Sequence, residues 1–467
     1  MDTTFLSDME WAQVEFGGAQ LGDKRREARL VKVAAGLATN PRGALHGALP
    51  TWAELMGGYR LLERPEVTLE EVSAVHRERT RAACGEPGEY LLLEDTTELD
   101  YTSHYATRGL GRIGNDGGQG LHLHSTLALR VEGWDECHAP VVSVVGLFAL
   151  HCWARIMPTV GRGKEKKALR LGRKRESERW AAPVAESGGP PPGVSWTHVG
   201  DRESDVYEVP QKCLQAHTGW IVRANQPRAL AESEGSVFEA IAHASVLGSY
   251  SLPLRARPGQ PARTATLEVR ATSVTLRGPW RPGGALPPLA TNLVEAREVH
   301  APTGCEPVHW VLLTSWPIDT FAAACRVLQA YTQRWLIEEY HKALKTGTGV
   351  EESQLTGASS LRALVGILCV VAIRLLDMKL LARSQPDTPL APETLHPAAL
   401  TILEKKFGLP VNGWTYLTAL VAIARLGGFL ARKSDGPPGW LSIWRGWHML
   451  TAMVQGFLLA QGEQRCV

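Results

Sequence analysis

Cysteine is present in this chain, but not in the pattern of a disulfide framework or a zinc ribbon. The 467 residues include eight cysteines and no Cys-x-x-Cys pair. Scattered cysteines are typical of buried thiols in a reducing compartment. The cysteines are Cys84, Cys137, Cys152, Cys213, Cys305, Cys325, Cys369 and Cys466.

Long apolar runs are also missing. The longest, Ala363 to Ile373, has 11 residues, whereas a membrane-spanning helix needs about 20. The first residues, M-D-T-T-F-L-S-D-M-E-W, contain neither the basic nor the apolar region of a signal peptide. We therefore expect a soluble cytoplasmic protein with no membrane partner, and in a bacterium one with access to the nucleoid.

A strong net charge is absent as well. The chain has 50 Lys and Arg against 48 Asp and Glu, so its formal charge is only +2. Any basic surface must therefore be local and balanced by acidic residues elsewhere. The hydrophobic content of 44% is sufficient for real cores, and the length predicts two or three domains.

Three short helices are predicted near the N-terminus. Asp23 can cap a helix that begins at Lys24, and capping boxes start at Thr51 (T-W-A-E) and Thr68 (T-L-E-E). The third helix is expected to end near Cys84. The first helix has separate apolar and basic stripes, formed by Leu30, Val33, Ala34 and Leu37 and by Arg25, Arg29 and Lys32. A cationic helical face suits duplex DNA, but an ordinary bundle with solvated cations explains this segment equally well.

Strand patterns follow the helices. Two short apolar strands, Tyr90 to Leu93 and Trp196 to Gly200, each run into an acidic residue, Asp95 and Asp201. Further strands are predicted at 120–130, 140–150, 220–223 and 309–314, with a β-rich insertion at 225–305. Carboxylates at the ends of strands can converge at one edge of a sheet, although acids there are also common turn residues.

The segment from Tyr331 to Lys345 predicts one continuous helix with an unusual face. Tyr331, Arg334, Glu338 and Lys345 follow each other at helical spacing. With Asp95 and Asp201, Glu338 would form a set of oxygen ligands that suits Mg²⁺ or Mn²⁺. Arg334 and Lys345 could neutralise nearby phosphates.

Motifs along nearly the whole chain resemble one known family. They are L-G-D-K-R-R-E-A-R-L (21–30), G-G-Y-R-L-L (57–62), L-E-D-T-T (93–97), V-G-D-R-E-S-D (199–205), W-I-V-R (220–223), W-V-L-L-T-S (310–315), the helix 331–345 and A-I-A-R-L-G-G-F (422–429). Together they resemble the bacterial cut-and-paste transposases of the insertion-sequence-four group, most closely the transposon-Tn-five type.

The resemblance implies an α/β fold with a ribonuclease-H-like catalytic core that carries a β-rich insertion. It implies an N-terminal helical DNA-binding domain at 1–68, the catalytic domain at 69–380 and a C-terminal helical dimerisation domain at 381–467. Trp440, Trp444 and Trp447 share one face of a C-terminal helix. Their stripe would serve dimer packing or an intramolecular core.

The resemblance also assigns roles to residues. Asp95, Asp201 and Glu338 match the catalytic DDE triad, which holds two Mg²⁺ ions that Mn²⁺ can replace. Trp310 matches an aromatic that stacks on a flipped-out base, although without the resemblance a core tryptophan on a buried strand is the favoured interpretation. The implied DNA-binding residues are Tyr331, Arg334, Lys345, Lys342, Trp310, Arg223, Arg25, Arg26 and Arg29.

The implied partners are transposon-end inverted repeats, target DNA and a second copy of the chain. One strand would be nicked, its 3′-hydroxyl would form a hairpin on the other strand, and the reopened end would join target DNA. Two other functions stay open. One is a domesticated protein that binds ends without cutting, and the other is a ribonuclease-H-like nuclease or resolvase that never joins strands.

A glycine motif, a pair of histidines and a basic segment do not by themselves identify a further functional site. G-L-G-R-I-G (109–114) matches a dinucleotide-binding motif but leads into a strand, which argues against that function. His122 and His124 share one strand face without a third ligand nearby, so we expect structural histidines. The basic segment 162–179 is either a DNA contact or a solvated loop.

Overall fold

A computed structural model of the chain shows a large mixed sheet with helices on both faces. The residues it describes are 8–42, 44–114, 117–155, 178–254, 262–281, 283–390, 394–432 and 435–461. Within these ranges no helix is both long and apolar enough to cross a membrane. The basic segment 162–179 lies outside the described residues except for Glu178 and Arg179.

The N-terminal region contains more helices than the three that were predicted. They are α1 (Asp8–Phe16), α2 (Lys24–Thr39), α3 (Ala44–Ala48), α4 (Trp52–Leu62), α5 (Leu69–Val72) and α6 (Ala74–Ala83). The caps at Asp23, Thr51 and Thr68 are confirmed, because each side chain accepts a backbone N–H of the first turn. The third predicted helix is interrupted at Ser73, whose hydroxyl donates to the Leu69 carbonyl.

Twelve strands are described, and ten of them form one sheet. They are β1 (Gly88–Asp100), β2 (Gly111–Ile113), β3 (Gly118–Trp134), β4 (Pro140–Trp153), β5 (Val194–Gly200), β6 (Gly219–Arg223), β7 (Val246–Leu254), β8 (Arg263–Leu276), β9 (Trp280–Arg281), β10 (Gly284–Ala285), β11 (Leu289–Val299) and β12 (His309–Thr314). The order in the sheet is β2-β3-β1-β5-β6-β12-β11-β8-β7, with β4 also paired to β3, while β9 and β10 pair separately.

Only the centre of this sheet is parallel. Strand β1 runs parallel to β5, which runs parallel to β6, and all other pairs are antiparallel. The prediction that β1 ends before Asp95 is wrong. Antiparallel pairing with β3 continues to Asp100, whereas the parallel partner β5 already ends at Gly200.

Most of the β-rich segment 225–305 extends the central sheet, and only its short strands β9 and β10 pair separately. Its main strands, β7, β8 and β11, extend the central sheet because β11 pairs with β12, which in turn pairs with β6. A short helix, α9 (Val237–His243), lies in the same segment. The two helices that precede it are α7 (Glu178–Ser187) and α8 (Glu208–Gln215).

The predicted continuous helix from Tyr331 to Lys345 is interrupted twice. The structure has α10 (Phe321–Thr332), α11 (Trp335–Lys342) and a π-helical turn, Ala343–Gly347. Between α10 and α11 the backbone N–H groups of Gln333 and Arg334 bond carbonyls three residues back, which tightens the chain for one turn. The periodicity of the sequence does not predict this distortion, which separates the buried Tyr331 from the helix that carries Glu338.

The remaining helices build the central core and the C-terminal region. They are α12 (Ala358–Ser384), α13 (Pro397–Phe407), α14 (Tyr416–Leu426) and α15 (Trp440–Ala460). The central apolar core joins α2, one face of β1 and β3, α12 and the side chains of Trp440 and Trp444. For these two tryptophans the structure therefore shows packing within one chain.

Candidate active site

Asp95 and Asp201 lie beside each other at the end of the parallel strands. Glu94 pairs with Gly200 in the β1–β5 register, so the residues that follow them are adjacent. Asp201 caps a short 3₁₀ turn, Arg202–Ser204, by accepting the Glu203 N–H at 2.8 Å. Burial, and next the charge of Asp95, raise the pKa of Asp201. Two carboxylates in such proximity favour a cation between them.

Glu338 approaches this pair from helix α11, which packs on β1. Its carboxylate accepts from the Arg334 guanidinium at 2.5 Å, across one helical turn. Burial opposes the charge of Arg334, but Tyr331, Glu338 and Asp95 together raise its pKa. Arg334 therefore pairs with Glu338 and interacts electrostatically with Asp95 and Asp201.

The three carboxylates are the ligand type of a divalent-metal site, but their side chains are not arranged around one position. In the described parts of the chain, no three His, Cys, Asp or Glu side chains are arranged to hold a metal ion. The oxygen donors are of the type that Mg²⁺ and Mn²⁺ prefer, and burial, with a smaller contribution from the charge of Asp95, raises the pKa of Asp201. The Glu338 carboxylate, which would be the third donor, is paired with Arg334.

Tyr331, Trp310 and Arg223 form a second group beside the carboxylates. The rings of Trp310 and Tyr331 meet edge to face, with centroids 5.5 Å apart. Arg223 donates to the His309 carbonyl at 2.9 Å and also bonds the Tyr331 side chain. Trp310 is only half-buried, so an aromatic edge and a phenol border the site.

Lys345 and Lys342 lie further along the same segment. Lys345 donates to the Glu98 carbonyl and is 3.3 Å from the Glu351 carboxylate. Because Lys345 belongs to the π turn, it does not simply continue the stripe of Arg334 and Glu338. Lys342 is more exposed, with its amine 4.2 Å from the Trp335 ring centroid.

The sequence interpretation missed His341. Its Nδ1 lies 3.6 Å from Asp95 Oδ2, and its side chain is buried. Its Nε2 has no hydrogen-bond partner among the described residues. The only signal in the sequence was its position three residues after Glu338, on the helical face that meets β1.

His122 and His124 are buried on strand β3. His124 bonds the Thr96 hydroxyl at 2.9 Å, and burial lowers its pKa to about 4. His122 stacks on Trp153. Both contacts fit the structural roles that were expected. The glycine motif at 109–114 contains the short strand β2 (Gly111–Ile113) rather than leading into it, and strand β3 begins at Gly118.

The three N-terminal arginines predicted to contact DNA differ in how far their side chains are exposed. The Arg25 side chain is 92% exposed, although it also contacts the capping Asp23. Arg26 is less accessible because it donates to the Leu21 carbonyl and pairs with Glu66. The Arg29 guanidinium lies against Gly57 of α4. Arg25 is thus the most exposed of the three predicted contacts.

Residues 8–67 match the family of transposase DNA-binding domains. The match covers helices α1 to α4 and the turn that follows them. It supports a transposase with DNA as a partner and agrees with the cationic surface of α2. The matched segment precedes the sheet and does not include Asp95, Asp201 or Glu338.

Proposed function

We propose that this protein is a DNA transposase of the insertion-sequence-four group that cuts transposon ends through a hairpin and joins them to target DNA. The observation that carries the proposal is the meeting of Asp95, within β1, and Asp201, just beyond the end of β5, with Glu338 on the helix packed against β1. The match of residues 8–67 to transposase DNA-binding domains supports DNA as the substrate.

The strand order supports a ribonuclease-H-like catalytic core. Strands β4, β3, β1, β5 and β6 are neighbours in that order, with β3 antiparallel to β1 and with β5 and β6 parallel to it. Asp95 then comes from β1 and Asp201 from the end of β5, which are the first and the fourth of these five strands in chain order. The extra strands β7, β8 and β11 would be the insertion expected for this group.

In the proposed mechanism Asp95, Asp201 and Glu338 would hold two Mg²⁺ ions, which would activate the attacking oxygen and stabilise the leaving oxygen. The protein positions the phosphodiester. Arg334 moves from Glu338 to a phosphate, which it can bind bidentately. The DNA backbone nearby is bound by Tyr331, Lys345, Lys342 and Arg223. The displaced base stacks on the ring of Trp310.

The proposed assembly is a homodimeric synapse, in which each active site cuts the end held by the other protomer. Arg25, Arg26 and Arg29 of the N-terminal helices contribute to end binding. We expect Arg25→Ala to reduce the salt dependence of end binding by about one phosphate contact. Because Arg26 is held by Leu21 and Glu66, Arg26→Ala should have a smaller effect on that salt dependence.

Cleavage of a supercoiled plasmid carrying the ends, in Mg²⁺, tests the proposal. We expect Glu338→Ala to abolish cutting and to retain end binding in a gel-shift assay. Glu132→Ala, at an exposed carboxylate paired with Arg130, is the matched control and should cut normally.

The alternatives give different products in the same assay. A wild-type protein that binds ends but yields no cut DNA would be an end-binding protein without catalysis. One that cuts but does not join a pre-cut end to target DNA would be a nuclease or resolvase. Wild-type cutting by Glu338→Ala would refute the assignment of the triad.

A further inference from the structure

The carboxylate next to Glu338 in the sequence points away from the candidate active site. Glu339 is buried in the interface of α11 with α12 and α15, with 6% of its surface exposed. Its Oε2 accepts from Lys379 Nζ at 2.6 Å and from Trp440 Nε1 at 2.9 Å. Consecutive helical residues point about 100° apart, so fixing Glu339 also fixes the direction of Glu338.

Helix α15 supports the same region at a second point. The Trp440 and Trp444 rings are stacked with centroids 5.6 Å apart, and Lys379 Nζ lies 4.1 Å from the Trp440 ring centroid. Trp444 lies directly against Gly347, where an added Cβ would be 2.4 Å from the indole. The C-terminal helix thus contacts both α11 and the π turn that follows it.

Stability alone is a poor explanation for this buried ion pair. Removing two charges from water costs free energy that their attraction barely offsets, and apolar replacements of such pairs are often as stable or more so. A buried ionic network has, however, one favoured arrangement, since any other leaves a charge unpaired. Such a network suits an element whose orientation matters.

We infer that Glu339, Lys379 and Trp440 are positioning residues that orient Glu338 from the rear of helix α11. The inference rests on the proposed function and makes α15 a support of the active site as well as part of the C-terminal region. Among the described interactions the three side chains contact neither of the aspartates nor Arg334, so their effect on Glu338 passes through the helix backbone. Glu339 Oε1 also lies 3.5 Å from Lys342 Nζ on the same helix.

Trp440→Phe tests the hydrogen bond while keeping an aromatic ring in the core. Trp447→Phe is the matched control, because this tryptophan lies on the same helix but donates to the Thr39 carbonyl at 3.3 Å. We expect Trp440→Phe to cut roughly tenfold more slowly and to need more Mn²⁺ for half-maximal cutting. End binding should be unchanged, and Trp447→Phe should resemble the wild type in all three measurements.

The double variant Glu339→Met/Lys379→Met separates positioning from folding. Without either charge it should melt at or above the wild-type temperature, yet cut slowly and bind Mn²⁺ more weakly. Mn²⁺ binding is measured by electron paramagnetic resonance on the complex with a pre-cut end duplex, so this readout does not need cleavage. Normal Mn²⁺ affinity and normal cutting in the stable double variant would overturn the inference. If the wild type cut no DNA, the proposed function would fail, while the Mn²⁺ affinities would still test the positioning.

Discussion

The Arg334 guanidinium lies 2.5 Å from the Glu338 carboxylate, one helical turn away, and interacts electrostatically with Asp95 and Asp201. The proposed metal ligand Glu338 and the proposed phosphate-binding cation Arg334 therefore neutralise each other in this arrangement. Exposed ion pairs of this spacing contribute only about 0.3–0.5 kcal/mol, and this pair is partly buried. Arrival of a phosphate for Arg334 would free Glu338 for a cation, which couples the two binding events.

Arg334→Ala should change the affinities for metal and DNA in opposite directions. The loss of a cation near three carboxylates strengthens Mn²⁺ binding to the free protein, whereas the loss of a phosphate contact weakens end binding by roughly tenfold. Titrations of Mn²⁺ and of an end duplex measure the two effects. Arg326→Ala is the control, since this arginine lies over Trp134. A weaker affinity for both ligands would contradict the coupling.

Trp310→Ala should slow hairpin formation more than first-strand nicking. Stacking of a base on an aromatic side chain contributes about 1–3 kcal/mol, and the half-buried Trp310 lies edge to face with Tyr331. Single-turnover assays on end duplexes resolve the two steps. Trp310→Phe keeps a ring and should restore much of the hairpin rate. Equal slowing of both steps by Trp310→Ala would argue for a purely structural tryptophan.

Glu15 should make the free energy of unfolding depend on pH in the acid range. Burial opposes its ionisation, but His76 and Arg79 together lower its pKa to about 2, with His76 Nδ1 2.7 Å from the Glu15 carboxylate. A carboxyl with a lowered folded-state pKa stabilises the fold above its unfolded-state pKa. This contribution disappears as pH falls through the folded-state value.

Urea unfolding of the wild type between about pH 4.5 and 2 should therefore show a loss of up to about 3 kcal/mol from this group. Glu15→Gln should be less stable at neutral pH and should lose correspondingly less on acidification. Identical pH dependence of the two proteins would show that the carboxylate is not the group responsible.

Two glycine substitutions should change stability in opposite directions. Gly347→Ala places a Cβ 2.4 Å from the buried Trp444 ring, and such overpacking costs about 1–3 kcal/mol. Gly456→Ala lies in helix α15 with open space around it, so it should gain about 0.5–1 kcal/mol from helix propensity. Urea unfolding measures both changes. A neutral Gly347→Ala would mean that Trp444 can move away.

The sequence by itself determined several local elements, although not all of their ends. The caps at Asp23, Thr51 and Thr68, and the strand predicted at Trp196 to Gly200 and found at Val194–Gly200, follow from short-range hydrogen bonding and apolar patterning. It also indicated that Asp95, Asp201 and Glu338 belong to elements that could meet. These signals are local, since each depends on a few neighbouring residues.

Only the tertiary structure decided how these elements pair. Strand β1 passes through Asp95 because β3 pairs with it beyond the end of β5, and the segment 225–305 joins the main sheet through β12. The contacts of His341 with Asp95 and of Glu339 with Lys379 and Trp440 join residues up to 246 positions apart. No periodicity encodes such contacts, because they depend on which strands and helices become neighbours when the core closes.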